Sequence, residues 1–132
     1  MFLVDTNVLA YLTIEGDRTP AAQRLYARDS DWRSEAFILI EYSNILATYI
    51  RARALTLEQS ADLLTAAEAL MPTLASIPHA RALQTAAQFR ISAYDARFIS
   101  LAMHMRVKLV TEDVKLRTAV PAWTRSLDDA LD

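Results

Sequence analysis

The stretch Phe2-Leu3-Val4-Asp5-Thr6-Asn7 does most to limit the fold. Three apolar residues are too few for a helix and too apolar for an edge strand. Phe2–Val4 therefore reads as a short central strand. Asp5, Thr6 and Asn7 then offer three helix-capping side chains ahead of a second apolar run, Val8 to Ile14. A strand that passes straight into a helix suits an α/β fold. Asp5 accordingly lies at the carboxyl end of a buried strand, where open α/β sheets hold their ligands. Taken alone, it has an ordinary explanation as a helix cap or the acceptor of an Asx turn.

The rest of the chain repeats the alternation. The helix over Val8–Ile14 is released near Gly16, and Thr19-Pro20 opens another that runs to about Arg28. Trp32 falls on a short second strand. The most apolar helix runs from Ala36 to about Arg53. Thr56 and Gln59 have the spacing of a capping box and open a helix that ends before Pro72. Residues 73–77 form a third short strand, and Pro78 introduces a helix from His79 to about Arg90. A helix then starts at Ser92-Ala93-Tyr94-Asp95 and reaches about Arg106. Val107–Val110 is the clearest later strand. A short helix carries Val114, Leu116 and Arg117, Pro121 closes it, and Trp123–Arg125 forms the last strand. The expectation is a single α/β domain over residues 1–132, with a short central parallel β-sheet flanked by helices on both faces.

Composition narrows what such a domain does. Only one glycine is present, Gly16, so neither a phosphate-cradling loop nor a dinucleotide-binding fingerprint can be built. There is no cysteine, which excludes disulfides and thiolate metal sites and fits a reducing compartment. The net charge is −2, so any nucleic-acid binding rests on a local patch or on metal ions. Of the fourteen Lys and Arg residues, all but Lys108 and Lys115 are arginines, a choice suited to bidentate phosphate contacts. Hydrophobic residues make up 53% of the chain, enough to suggest apolar surface reserved for a partner. The apolar start is interrupted at once by Asp5, unlike a signal peptide. The stretch Ala36–Ile50 carries Glu41 and Asn44 and is too short to span a bilayer. A cytoplasmic protein without membrane association is expected.

Four acids stand out by position. Asp5 and Asp113 each follow a strand and precede a helix, and parallel strands put those ends on one edge of the sheet. Asp95 begins a helix that must start near that edge to feed the strand at 107. Glu41 shares a helical face with Phe37, Ile38, Ile45 and Leu46, with Asn44 beside it. Each acid has a plain alternative: Asp5, Asp95 and Asp113 as caps, Glu41 as a rim residue or the partner of an arginine. Together they converge, and four carboxylates that close raise one another's pKa and destabilise the fold unless a cation joins them. All-oxygen ligation suits Mg²⁺ or Mn²⁺. His79 and His104 are isolated and lack metal-site spacing.

These residues carry a family resemblance. Val4-Asp5-Thr6-Asn7-Val8-Leu9, Glu41-Tyr42-Ser43-Asn44-Ile45-Leu46, Tyr94-Asp95-Ala96-Arg97-Phe98-Ile99-Ser100-Leu101-Ala102 and Leu109-Val110-Thr111-Glu112-Asp113 resemble the successive motifs of PIN-domain ribonucleases. The nearest group is the VapC-like toxins of type II toxin-antitoxin pairs. The resemblance covers nearly the whole chain in order. It implies metal ligation and catalysis by Asp5, Glu41, Asp95 and Asp113, with Mg²⁺ or Mn²⁺ as cofactor. Thr111 and Asn44 match supporting positions, and Thr6 beside the first acid joins them. It also implies an RNA substrate (tRNA, rRNA or mRNA), a cognate antitoxin and a homodimer. The apolar residues between Leu57 and Met71 are candidates for such contacts. Arg97, Lys115 and Arg117 lie close in sequence to the acids and are candidates for holding the RNA backbone. The chain departs from the family at Met105-Arg106-Val107-Lys108, which replaces a glycine common before the fourth strand.

The expected activity is metal-dependent hydrolysis of RNA phosphodiester bonds. One rival is a receiver-type Mg²⁺-binding signalling domain. It needs paired acids after the first strand, but Asp5 is followed by Thr6, and Lys108 precedes its strand rather than following it. A second rival is a catalytically silent PIN-like interaction module whose acids serve as caps. A Ser-His-Asp hydrolase lacks its nucleophile-elbow glycines.

Overall fold

A computed structural model describes residues Met1–Asp132. Phe2–Val4 form strand β1, and all three residues are buried. Helix α1 (Thr6–Thr13) starts two residues earlier than its apolar run, because Asp5 accepts a hydrogen bond from the Val8 N–H and so caps it. Helix α2 (Thr19–Arg28) follows, with Pro20 in its first turn. Strand β2 (Trp32–Glu35) leads into α3 (Phe37–Arg51). Helix α4 (Leu57–Leu70) opens on the expected capping box of Thr56 and Gln59, with both reciprocal hydrogen bonds formed. Strand β3 (Leu74–Ala75), α5 (His79–Phe89), α6 (Ala93–Met105), β4 (Leu109–Val110) and α7 (Val114–Ala119) come next. A 3-10 turn (Pro121–Trp123), β5 (Thr124–Arg125) and a short final helix α8 (Leu127–Leu131) complete the chain.

The five strands form one sheet in the order β3-β2-β1-β4-β5, and every pairing is parallel. Leu3 lies opposite Arg33 on one side and Leu109 on the other, and Val4 lies opposite Val110. Successive strands run outward from β1 to β2 and β3, then return to its other side as β4 and β5. The order therefore reverses between β1 and β4, and ligands of open α/β sheets bind in the crevice at such a point. Leu3, Val4, Leu109 and Val110 are fully buried, as a sheet flanked by helices requires. Val8, Leu9, Ile38, Tyr42, Phe98, Ile99 and Ala102 pack into the same core from α1, α3 and α6. No helix is long and apolar enough to cross a membrane.

Helix α8 was not legible beforehand. Ser126 caps it by accepting from the Asp129 N–H, and Glu112 accepts from the Leu127 N–H at 2.6 Å. The turn before β4 holds Arg106 at φ 57°, ψ 43°, a left-handed conformation that favours glycine. Arg53 and Arg90 adopt the same left-handed conformation after α3 and α5. A left-handed residue with a Cβ costs about 1–2 kcal/mol, partly offset by the larger unfolded-state entropy of glycine. Arg106→Gly is therefore expected to stabilise the protein by about 0.5–1 kcal/mol in urea unfolding. A destabilised variant would show that the Arg106 side chain contributes more than its backbone costs.

Candidate active site

Asp5, Glu41, Asp95 and Asp113 line a single cavity of about 670 Å³, together with Thr6, Asn7 and Asn44. Asp5 follows β1 and Asp113 follows β4, so the pairing of Val4 with Val110 sets both acids at one sheet edge. Glu41 projects from the second turn of α3 and Asp95 from the first turn of α6.

Two of the capping alternatives hold, and one does not. Asp5 caps α1, and Asp113 caps α7 by accepting from the Leu116 N–H at 3.1 Å. Each uses only Oδ1 for this. Asp5 Oδ2 accepts from the Thr111 hydroxyl, and Thr111 Oγ1 in turn accepts from the Asp113 N–H at 3.1 Å. Thr111 is fully buried and so ties the ends of β1 and β4 together at the acids. Helix α6, by contrast, is capped by Ser92, whose hydroxyl accepts from the Asp95 N–H. The Asp95 carboxylate caps nothing. Glu41 pairs with no arginine; the Thr6 hydroxyl donates to its Oε1 at 2.7 Å. Thr6 and Thr111 thus hold one acid each, while Asn44 stands at the cavity wall, exposed.

The electrostatics are those of crowded, desolvated carboxylates. Burial pushes the Asp5 carboxyl up to about 7, with the Glu41 and Asp113 charges adding to the rise and the Thr111 and Val8 hydrogen bonds opposing it. Glu41 is raised by burial and by the charges of Asp95 and Glu35, against its hydrogen bond from Thr6. Asp95 is raised by burial and by the charge of Asp113, against the Ser92 hydroxyl. No three of these side chains stand close enough together to form a ready-made metal cluster. The donor set nonetheless fits a hard divalent cation: every group is an oxygen, no histidine lines the cavity, and the mutual repulsion is what a cation relieves.

The basic candidates sit differently. Arg97 turns away from the acids: its guanidinium donates to the Ile77 carbonyl at 2.7 Å and pairs with Glu35 at 3.4 Å. Arg117 donates to the Thr111 carbonyl at 2.8 Å and approaches Glu112 at 3.9 Å, which braces the β4 end. Lys115 is exposed on α7.

Glu35 was not singled out in the sequence, although it ends β2 as Asp5 follows β1. It is 1% exposed and also accepts from the Phe37 N–H at 3.0 Å. Burying a carboxylate so deeply requires its partner. Arg97→Ala is expected to destabilise the fold by about 3 kcal/mol, read by urea unfolding, since it strands that charge. An unchanged stability would return Arg97 to the pool of free cations.

The PIN domain family model matches residues 2–120. The chain belongs to the PIN domain family, whose members are generally metal-dependent nucleases. Among solved structures it is similar to one described as the crystal structure of PAE2754 from Pyrobaculum aerophilum. The TM-score is 0.80 at 18% identity, over 98% of this chain and 92% of that one. At that identity the likeness concerns the fold. No curated protein matches the sequence significantly.

Proposed function

We propose that this protein is an Mg²⁺- or Mn²⁺-dependent endoribonuclease and the VapC-like toxin of a toxin-antitoxin pair. The observation that carries the nuclease reading is the cavity at the β1/β4 reversal, which four carboxylates from four separate segments line and in which Asp5 is pushed up to about 7. Carboxylates are a poor surface for a polyanion, so acids in this number point to a cation between protein and phosphate. Asp5, Glu41, Asp95 and Asp113 would hold it. Bound there, a divalent cation would lower the pKa of an attacking water and would neutralise charge on the phosphate and leaving oxygen.

The chain's own residues supply the positioning. The Thr111 hydroxyl holds Asp5 Oδ2, the Val8 N–H holds Oδ1, and the Thr6 hydroxyl holds Glu41. Three of the four acids arise where a helix begins, and side chains on such rigid ends keep their aim. The toxin assignment, the antitoxin and the homodimer rest on the motif resemblance. Exposed Leu57 on α4 and Ile40 on α3 are apolar surface consistent with protein contacts.

The test is cleavage of a panel of structured RNAs, including tRNAs, with Mg²⁺ or Mn²⁺ and with EDTA, alongside growth on induced expression. Cation-dependent cleavage and arrested growth are expected. Cleavage unaffected by EDTA removes the metal, and no cleavage of any RNA leaves a silent interaction module. Cleavage without growth arrest leaves a nuclease that is not a toxin.

A further inference from the structure

Beside the acid cavity lies a second, mainly apolar groove of about 490 Å³. The two share Phe37, Ile40 and Tyr94 as a common wall. The rings of Phe37 and Tyr94 are stacked, with centroids 5.3 Å apart and planes 5° from parallel. Phe37 is half-buried against the core, whereas Tyr94 is 63% exposed. Phe37 stacks on one side of the Tyr94 ring, and the exposed remainder of that ring stands between the acid cavity and the groove.

We propose that Tyr94, stacked on Phe37, is the platform for an unpaired nucleobase flanking the scissile phosphate; this rests on the ribonuclease reading above. An aromatic face next to a phosphate-binding site suits single-stranded RNA, whose splayed bases stack on such rings. The groove also offers a directed polar group. Arg97 can only donate, so His79 Nδ1 accepts from it and the imidazole proton sits on Nε2. His79 thereby presents an N–H donor suited to the acceptor edge of a base, while the Glu35–Arg97 pair holds the ring. A peptide would gain from the apolar wall but has no special use for a parallel aromatic pair abutting four carboxylates.

The experiment is a double cycle on cleavage kinetics. The cut in a single-stranded oligoribonucleotide is first mapped with wild type. Substrates abasic at each flanking nucleotide are then compared with the intact one, using wild type, Tyr94→Ala and Tyr94→Phe. On intact RNA, Tyr94→Ala is expected to lower kcat/KM by about ten- to a hundredfold, mainly through KM. Tyr94→Phe keeps the stacking face and is expected to stay within about twofold of wild type. On RNA abasic at the stacked position, Tyr94→Ala is expected to cost no more than about twofold, because the partner is already gone. An equal loss on intact and abasic RNA overturns the platform and assigns Tyr94 to holding neighbouring Asp95. No loss on either overturns it too, and leaves the groove to a polypeptide while the nuclease stands. Failure of wild type to cleave any RNA overturns both readings.

Discussion

Freed of divalent cations, the protein is expected to lose stability as pH rises from about 4 to about 7, and Asp5→Asn to remove much of that loss. Asp5 has its carboxyl pushed up to about 7 in the folded state, against 3.8 for the unperturbed group. Between those values the folded state binds a proton that the unfolded state has released. Stability is therefore fully present below 3.8 and declines until the folded carboxyl has ionised near 7. The interval corresponds to about 4 kcal/mol. Asparagine carries no charge to desolvate, and its Oδ1 still caps α1. Its amide can donate to the second lone pair of Thr111 Oγ1, which already accepts from the Asp113 N–H. In EDTA at pH 8, Asp5→Asn should exceed wild type by several kcal/mol in urea unfolding, and the gap should close by pH 4. Glu41 and Asp95 are raised in the same direction and contribute to the slope of both proteins, so the comparison reads Asp5 together with its coupling to Glu41. At pH 8, Mn²⁺ should raise the stability of wild type and do far less for Asp5→Asn. Parallel pH profiles for the two proteins would show that Asp5 is not a strained, desolvated acid.

Asp95→Asn and Asp113→Asn should each abolish cleavage while leaving the fold intact. Asp113 contributes its Oδ1 to the cap of α7, and asparagine preserves that acceptor. Asp95 contributes no cap, since Ser92 does that work. A stability change within about 0.5 kcal/mol is expected for Asp113→Asn, and no loss for Asp95→Asn, which removes a charge that burial disfavours. Rates are expected to fall on the order of 10³-fold or more, and the double variant to fall little further, because groups acting on one phosphate fail as a unit. Ser92→Ala supplies the opposite dissociation. It should cost about 1 kcal/mol of stability and spare most of the cleavage. Losses that multiply in the Asp95/Asp113 double variant would mean that the two acids act in separate places.

These two acids also mark where sequence reasoning reached its edge. A cap and a ligand look alike in sequence, because both put Asp at the start of a helix. Asp113 is a cap and Asp95 is not, and the difference lies in a serine three residues away. Ser92 was visible in the sequence; that its hydroxyl would take the Asp95 N–H depended on the backbone turning extended at that residue.

Local signals determined much of this protein. The apolar triplet Phe2–Val4 specified a buried central strand, the Thr56–Gln59 box opened α4, and the ordered acid motifs specified the family. Such signals act over a few residues, through hydrogen bonds and periodicity that need no distant partner. The tertiary structure alone decided what joins segments far apart. Glu35 and Arg97 are 62 residues apart, and only the placement of β2 beside α6 makes one the counter-ion of the other. That pairing gives a candidate phosphate contact a buried counter-ion within the fold. Likewise Phe37 and Tyr94 belong to helices distant in sequence, and their stack exists because α3 and α6 flank the same cavity. Thr111 reaches across 106 residues to Asp5 because β4 lies next to β1. A side chain's partner depends on which strand ends up beside which, and sheet order follows from burying the whole chain's apolar surface at once rather than from any one stretch of it.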